Sequence, residues 1–187
     1  MNYKEVEAKY DASNISISSF VDLIEQNFSI KKKMLISSHD DYFTDVNDNF
    51  IRYRYTDNGG ELTIKRKLNS KNNNHRIEVN IPTSGDNVKS IAAFVDLLGY
   101  RHNFSIYKTC KIYWSDTAVF AYYVVYDREM QELRRFLEIE ANESHTWASE
   151  EEAWNEVIKC EKTLEPLGIT SKNRLKKSLF ELFKQNC

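Results

Sequence analysis

The sequence predicts an α+β fold built on one mostly antiparallel sheet. Three observations carry that prediction. Strand-like runs joined by local turns dominate the chain, and only a few helical stretches interrupt them. Aromatic residues reach 13%, with 11 tyrosines and 10 phenylalanines, a composition that favours strands. Charged residues recur at i and i+2 in several runs, so they share one strand face while apolar residues take the other.

The elements follow in order. Tyr3 to Tyr10 alternates as a first strand. Ile15 to Phe28 places Ile17, Phe20, Val21, Ile24 and Phe28 at helical spacing. Lys33 to Phe43 and Phe50 to Tyr55 read as strands. Asp57-Asn58-Gly59-Gly60 supplies the residues of a tight hairpin, and Glu61 to Leu68 returns from it. Arg76 to Ile81 is the next strand, after a polar loop at Asn69–Asn74. A helix spans Asn87 to Leu98, with Val88, Ile91, Ala92, Val95 and Leu98 on its apolar face and Gly99 as its stop. Phe104 to Trp114, Ala118 to Tyr126 and Phe136 to Ala141 complete eight strands. A long helix from Ser149 to about Leu164 opens on Glu150, Glu151 and Glu152, acids that suit the positive end of the helix dipole. A last helix is expected over roughly Asn173 to Phe183. No Pro/Gly/Ser linker or internal repeat divides the chain, so residues 1–187 are read as one domain.

Composition excludes several classes. A formal charge of −2, from 26 basic and 28 acidic residues, argues against a bulk basic surface for duplex nucleic acid, although a local basic channel is compatible with it. Only 5 glycines argue against a glycine-rich phosphate loop. Cys110, Cys160 and Cys187 form no C-x-x-C pair, and the histidines form no H-E-x-x-H motif. The charged start and the lack of a long apolar run lead us to expect a cytoplasmic protein with no membrane partner.

The charge pattern asks for more than a wet face. Glu5/Glu7, Arg52/Arg54, Lys65/Lys67 and Glu138/Glu140 are like-charged neighbours on one side of their strands. At ~7 Å and an effective dielectric near ~20, each pair repels by about 2 kcal/mol, and by less than about 1 in open water. Taken strand by strand, an ordinary solvated face explains each of them. Taken together, they fit a closed or nearly closed eight-stranded antiparallel barrel, charged within and with helices packed outside. Such a lumen implies a ligand rich in negative charge together with divalent cations.

Glu5-Val6-Glu7-Ala8-Lys9 resembles the E-x-E-x-K signature of the CYTH superfamily, the triphosphate tunnel metalloenzymes. The ordered series is more specific: Arg52-x-Arg54, Leu62-Thr63-Ile64-Lys65, Arg76-x-Glu78, Lys108 with Tyr113, Asp127, and Phe136-Leu137-Glu138-Ile139-Glu140. Leu97–Tyr100 through Phe104–Lys108 is similar to a helix-to-strand passage of its cyclase and triphosphatase branch. The resemblance spans nearly the whole chain. Two departures stand out: Asn80 replaces the second acid of the fifth-strand motif, and Cys110 stands where the family often has arginine.

The resemblance implies that Lys9, Arg52, Arg54, Lys65, Arg76 and Lys108 contact phosphate. It implies that Glu5, Glu7, Glu138 and Glu140 hold Mg²⁺ or Mn²⁺, hard cations that take oxygen ligands. Glu5 or Glu7 would orient the attacking water. Glu78 and Asp127 are further lumen acids or salt-bridge partners, with a turn-capping role the alternative for Asp127. Lys67, near its strand end, is a weaker phosphate contact. Arg174 and Lys177 would approach phosphate from a last helix that plugs one end of the tunnel. Trp147 and Trp154 read as packing, and Lys31-Lys32-Lys33 as a solvated strand start.

The expected activity is metal-dependent hydrolysis of a triphosphate: inorganic tripolyphosphate, a nucleoside triphosphate or thiamine triphosphate. Class IV-type adenylate cyclisation and non-catalytic nucleotide or polyphosphate binding are the alternatives. RNA bearing a 5′-triphosphate and a second copy of the chain are compatible partners.

Overall fold

The alternation read from the sequence sets the architecture: each strand turns its charged residues to one face and its apolar residues to the other. The computed structural model describes residues 6–47, 49–67, 76–85 and 87–184, with the backbone alone at 65–67 and 76–78. The strands are β1 (Glu7–Asp11), β2 (Lys32–Thr44), β3 (Phe50–Thr56), β4 (Gly59–Lys67), β5 (Arg76–Thr83), β6 (Arg101–Trp114), β7 (Ala118–Tyr126) and β8 (Glu132–Ala141). The helices are α1 (Ile17–Asn27), α2 (Val88–Leu97), α3 (Glu150–Thr163) and α4 (Leu179–Phe183).

All eight strands form one antiparallel sheet in the order β1-β8-β7-β6-β2-β3-β4-β5. The fold is α+β, as expected. Of the closed or nearly closed barrel, closure is not found: among the described residues no ladder joins β1 to β5, so hydrogen bonds between them do not close the sheet. It curves instead. Side chains from β1, β8, β7, β6, β2, β3 and β4 all line a single cavity of about 910 Å³. Strand twist and a register shift at Tyr42/Phe43 in the long β2–β6 pair support that curvature.

Among the described residues, apolar burial is split among three clusters. On the convex side, α1 and α3 cover β1, β7 and β8 through residues such as Tyr10, Phe20, Ile24, Phe120, Leu137, Ile139 and Val157. Also on that side, α2 covers β3 and β4, where Val95 meets Ile51, Tyr53 and Leu62. The third cluster lies on the concave side. There Tyr42, Phe104, Ile106, Tyr123, Val125 and Phe136 meet Leu179 and Phe180 of α4. Helix α4 therefore sits inside the curve of the sheet, whereas the other three helices pack outside it.

The last helix is shorter than the sequence suggested. Residues Ser171–Asn173 form one 3-10 turn, closed by a reciprocal capping box between Thr170 and Asn173. Arg174 is extended and bridges Tyr10 through the backbone. The α-helix begins only after Ser178, whose hydroxyl accepts the Glu181 amide while the Glu181 carboxylate accepts the Ser178 amide. That Ser-x-x-Glu capping box sets where the helix begins. The hairpin after β3 also differs: Asp57 and Asn58 make the turn, and Gly59, at φ 141°, already belongs to β4. No helix among the described residues is long and apolar enough to cross a membrane.

Phe180 stacks on Phe50 at 4.5 Å between ring centroids and is 3% exposed. Phe180→Ala should therefore lower unfolding free energy by about 3–5 kcal/mol in a denaturant titration. Phe94→Ala, at a half-exposed site on α2, should change it by no more than about 0.5 kcal/mol.

Candidate functional site

The floor of the cavity is organised by a carboxylate that the motif series did not include. Asp40 on β2 is fully buried. Cross-strand register places it opposite Arg54 on β3, with Lys108 of β6 opposite the neighbouring Ser38. Arg54 donates to both Asp40 oxygens, at 2.8 and 3.0 Å, and the Lys108 ammonium lies 2.9 Å from Oδ2. Burial alone would raise the Asp40 carboxyl; Arg54 and Lys108 outweigh it and hold the group far below the usual carboxylate range. Burial, and then the neighbouring Arg54 charge, push the Lys108 ammonium down to about 8. Arg52, one position along the same face of β3, donates to Thr63 at 2.8 Å and Glu61 at 3.1 Å. Two cations thus share one buried carboxylate, and a third stands beside them.

Across the cavity the charge reverses. Lys9 on β1 pairs with Glu138 on β8 at 2.8 Å, and the Tyr123 hydroxyl donates to the same carboxylate at 2.9 Å. Burial would raise the Glu138 carboxyl, but Lys9 overcomes it and brings the group down to about 2. Glu7 stands directly opposite Glu140 in the β1–β8 ladder. Like charges facing each other across adjacent strands destabilise a sheet unless a cation lies between them. Among the described residues no ready-made group of three metal-ligating side chains exists. A pair of facing carboxylates nevertheless suits Mg²⁺ or Mn²⁺, which take one or two protein carboxylates and complete their shell with water and substrate phosphate. Glu7 and Glu140, with Glu138 alongside, are the residues that fit such an ion.

The structure brings Glu7, Lys9, Arg52, Arg54, Lys108, Glu138 and Glu140 to the lining of one cavity. Glu5 lies outside the described residues, as do the side chains of Lys65, Lys67, Arg76 and Glu78. The backbone of the last four sits on β4 and β5, with Lys65 opposite Glu78 and Lys67 opposite Arg76.

For Asp127 the turn-capping alternative holds, and the expectations for Arg174 and Lys177 need correction. Asp127 does not line the cavity: its Oδ1 accepts the amides of Glu129 and Gln131, so it caps the β7–β8 turn. Arg174 turns away to the convex side, where its guanidinium binds buried Glu161 and lies 4.9 Å from the Trp154 ring centre. Lys177 is exposed and lines no part of the cavity. Both of these basic residues precede α4, and the aromatic face of the helix, not a charge, enters the curve. Of the two departures, Cys110 lines the cavity, where burial pushes its thiol up to about 11 and keeps it uncharged. Asn80 accepts a hydrogen bond from Thr63, the residue that also receives Arg52.

No family model matches the chain, and no curated protein matches it by sequence. Solved structures do match. A conserved hypothetical protein from Pyrococcus furiosus is 23% identical, with a TM-score of 0.73 over 96% of this chain and 99% of that one. A candidate adenylate cyclase from Bacillus halodurans is 16% identical, with a TM-score of 0.63 over 98% and 99%. The Mimivirus capping enzyme triphosphatase is 13% identical, with a TM-score of 0.50 over 88% of each chain. The chain has the fold of the CYTH-type tunnel proteins. At these identities the likeness is one of fold.

The buried charges make stability depend on pH in two windows. Glu138 has a folded-state value of about 2 against an ordinary 4.5, so its contribution is full above about 4.5 and is lost as pH falls towards 2. Lys108 has a folded-state value of about 8 against an ordinary 10.5. Between those values the unfolded chain binds the extra proton, so this residue's effect on stability improves with rising pH. Chemical denaturation across pH should show Lys9→Met flattening the acid limb and Lys108→Met flattening the alkaline one. Asp40→Asn should destabilise by about 3–5 kcal/mol, because it strands buried Lys108 and part-buried Arg54, and adding Lys108→Met should recover part of that loss.

Proposed function

We propose that the chain is a divalent-metal-dependent phosphohydrolase acting on a triphosphate held in this cavity. The observation that supports the reading most strongly is the cationic floor. Arg54 and Lys108 share Asp40, and the depressed Lys108 value reflects burial next to like charge. A polyanion placed there relieves the repulsion. Arg52 and Lys9 approach from different directions, which suits phosphates arranged in a row.

The residues divide the work by position. Arg54, Arg52 and Lys108 hold phosphate oxygens and stabilise charge that spreads over the transferred group. Lys9 neutralises the opposite side and keeps Glu138 ionised. Glu7 and Glu140, with Glu138, would hold Mg²⁺ or Mn²⁺, an ion that supplies charge neutralisation and a water of lowered pKa. Glu7, assisted by Glu5, is the residue we assign to orienting the attacking water. The CYTH-type fold supports a triphosphate-related role. Adenylate cyclisation is the second reading, favoured by the name of the Bacillus halodurans neighbour.

Incubation with ATP, tripolyphosphate, thiamine triphosphate and 5′-triphosphate RNA, each with Mg²⁺ or Mn²⁺, tests the proposal. Orthophosphate should be released and chelation should stop it. Cyclic AMP with pyrophosphate would replace the lead reading by the second, and binding without product would make the protein a binder. Arg54→Ala should weaken triphosphate binding at least tenfold, the loss of a charge-assisted contact worth ~1.4 kcal/mol or more. Glu138→Gln should abolish metal-dependent turnover and leave the circular dichroism spectrum unchanged.

A further inference from the structure

The two halves of the cavity lining carry opposite charge, and one side chain touches both. Tyr123 of β7 faces Cys110 on β6 and Phe136 on β8. Alternation puts Lys108 two residues from Cys110, and Glu138 two residues from Phe136, on the same concave face. Each is a diagonal neighbour of Tyr123, at a backbone spacing of about 7–8 Å that an aromatic side chain can bridge. The structure shows both contacts. The Tyr123 hydroxyl donates to Glu138 Oε1 at 2.9 Å. The Lys108 ammonium lies over the Tyr123 ring, 5.5 Å from its centre, where the face of an aromatic ring attracts a cation.

Both contacts are held by packing. Tyr123 is buried, and its ring stacks at 5.3 Å on Phe136, which is fully buried. A ring packed in this way keeps its hydroxyl in one place. Lys9 reaches the same oxygen, Oε1, from β1 at 2.8 Å. A carboxylate only accepts, and here one oxygen takes donors from two different strands. That fixes the orientation of Glu138 and assigns Oε2 to an ion. Residues that orient a metal ligand change metal affinity by about 10- to 100-fold when they are lost. Tyr123 stands outside the motif series, and phenylalanine would serve the packing against Phe136 equally well.

We infer that Tyr123 is the positioning residue that ties the two halves of the site together: its hydroxyl orients Glu138 towards the divalent ion, and its ring steadies Lys108 on the cationic floor. The inference rests on the triphosphate reading of the cavity and deepens it. Tyr123 acts through Glu138 and Lys108 and touches neither the ion nor the phosphate. The hydroxyl serves the acid and the ring serves the cation, so the two parts separate in variants.

Tyr123→Phe deletes the hydroxyl and keeps the ring. Mn²⁺ binding is followed by the electron paramagnetic resonance of the free ion, and tripolyphosphate binding by calorimetry in the presence of a chelator. Tyr123→Phe should weaken Mn²⁺ tenfold or more and leave metal-free tripolyphosphate within twofold. Tyr123→Leu, which removes the ring as well, should also weaken tripolyphosphate about threefold or more. Tyr122→Phe is the control: its hydroxyl donates to the Ile15 carbonyl on the convex side, and its loss should leave both ligands within twofold. Tyr123→Phe with wild-type affinity for Mn²⁺ overturns the inference. So does a variant that weakens both ligands equally, or a matching loss of Mn²⁺ in Tyr122→Phe. Wild-type affinity for tripolyphosphate in Tyr123→Leu overturns the part given to the ring. Wild-type protein that binds tripolyphosphate but no Mn²⁺ removes the metal assignment and this inference with it. Wild-type protein that binds no tripolyphosphate overturns the triphosphate reading itself, a failure seen before any variant is made.

Discussion

A buried carboxylate shared by two cations governs this structure. Asp40 has no access to water and exists as an anion only because Arg54 and Lys108 surround it. Removing such a charge from water costs several kcal/mol, and geometry of this quality is what repays it. The consequence reaches beyond stability. Arg54 is fixed by two hydrogen bonds and Lys108 by one short contact, so both side chains are held in place before any ligand arrives. Preorganised charge in a site shielded from water stabilises developing anionic charge without reorganisation. The same fixed arrangement leaves a surplus of positive charge among the described residues of the floor, which is the property the functional reading depends on.

The second constraint is the closed end. A curved sheet with α4 inside it bounds the pocket with aromatic packing at one end, and the chemistry of the lining changes away from it. Aromatic packing lies at the α4 end, the Asp40-centred cations come next, and beyond them the acids of β1 and β8 stand level with Ile112 and Trp114 of β6. Each layer comes from alternation along strands that cross the sheet in antiparallel register. A shift of one residue in β6 would send Lys108 to the convex side and bring Tyr107 or Thr109 inward, which is why register and function cannot be separated here.

Much of this was legible in the residues. The i, i+2 charge pairs at Arg52/Arg54 and Glu138/Glu140, with apolar partners between them, fixed which side of each strand faces inward. Strands and helices fell close to their expected places because turns, caps and periodicity agreed. Asp40 was not legible. His39-Asp40-Asp41 offers two adjacent acids that point to opposite faces, and only register with Arg54 and Lys108 shows which one enters the site. Asp127 stayed open in the sequence because a carboxylate after a strand serves a turn as readily as a metal, and the structure shows the turn. Arg174 misled because a basic run before an apolar helix does not reveal which side of the sheet it will meet; Glu161, far away in sequence, decides it. Closure of the sheet depends on how far eight strands curl, a property of the assembly that no single strand encodes.

Proton uptake on ligand binding tests the central claim most directly. Near pH 8 the Lys108 ammonium is only part-protonated in the free protein, and a bound polyanion beside it must draw in a proton. Titration with tripolyphosphate in buffers of different ionisation enthalpy measures that uptake. The account predicts a fraction of one proton taken up per triphosphate bound, absent in Lys108→Met. Binding with no proton uptake, or equal uptake in the variant, would contradict a polyanion seated against the Asp40-centred floor.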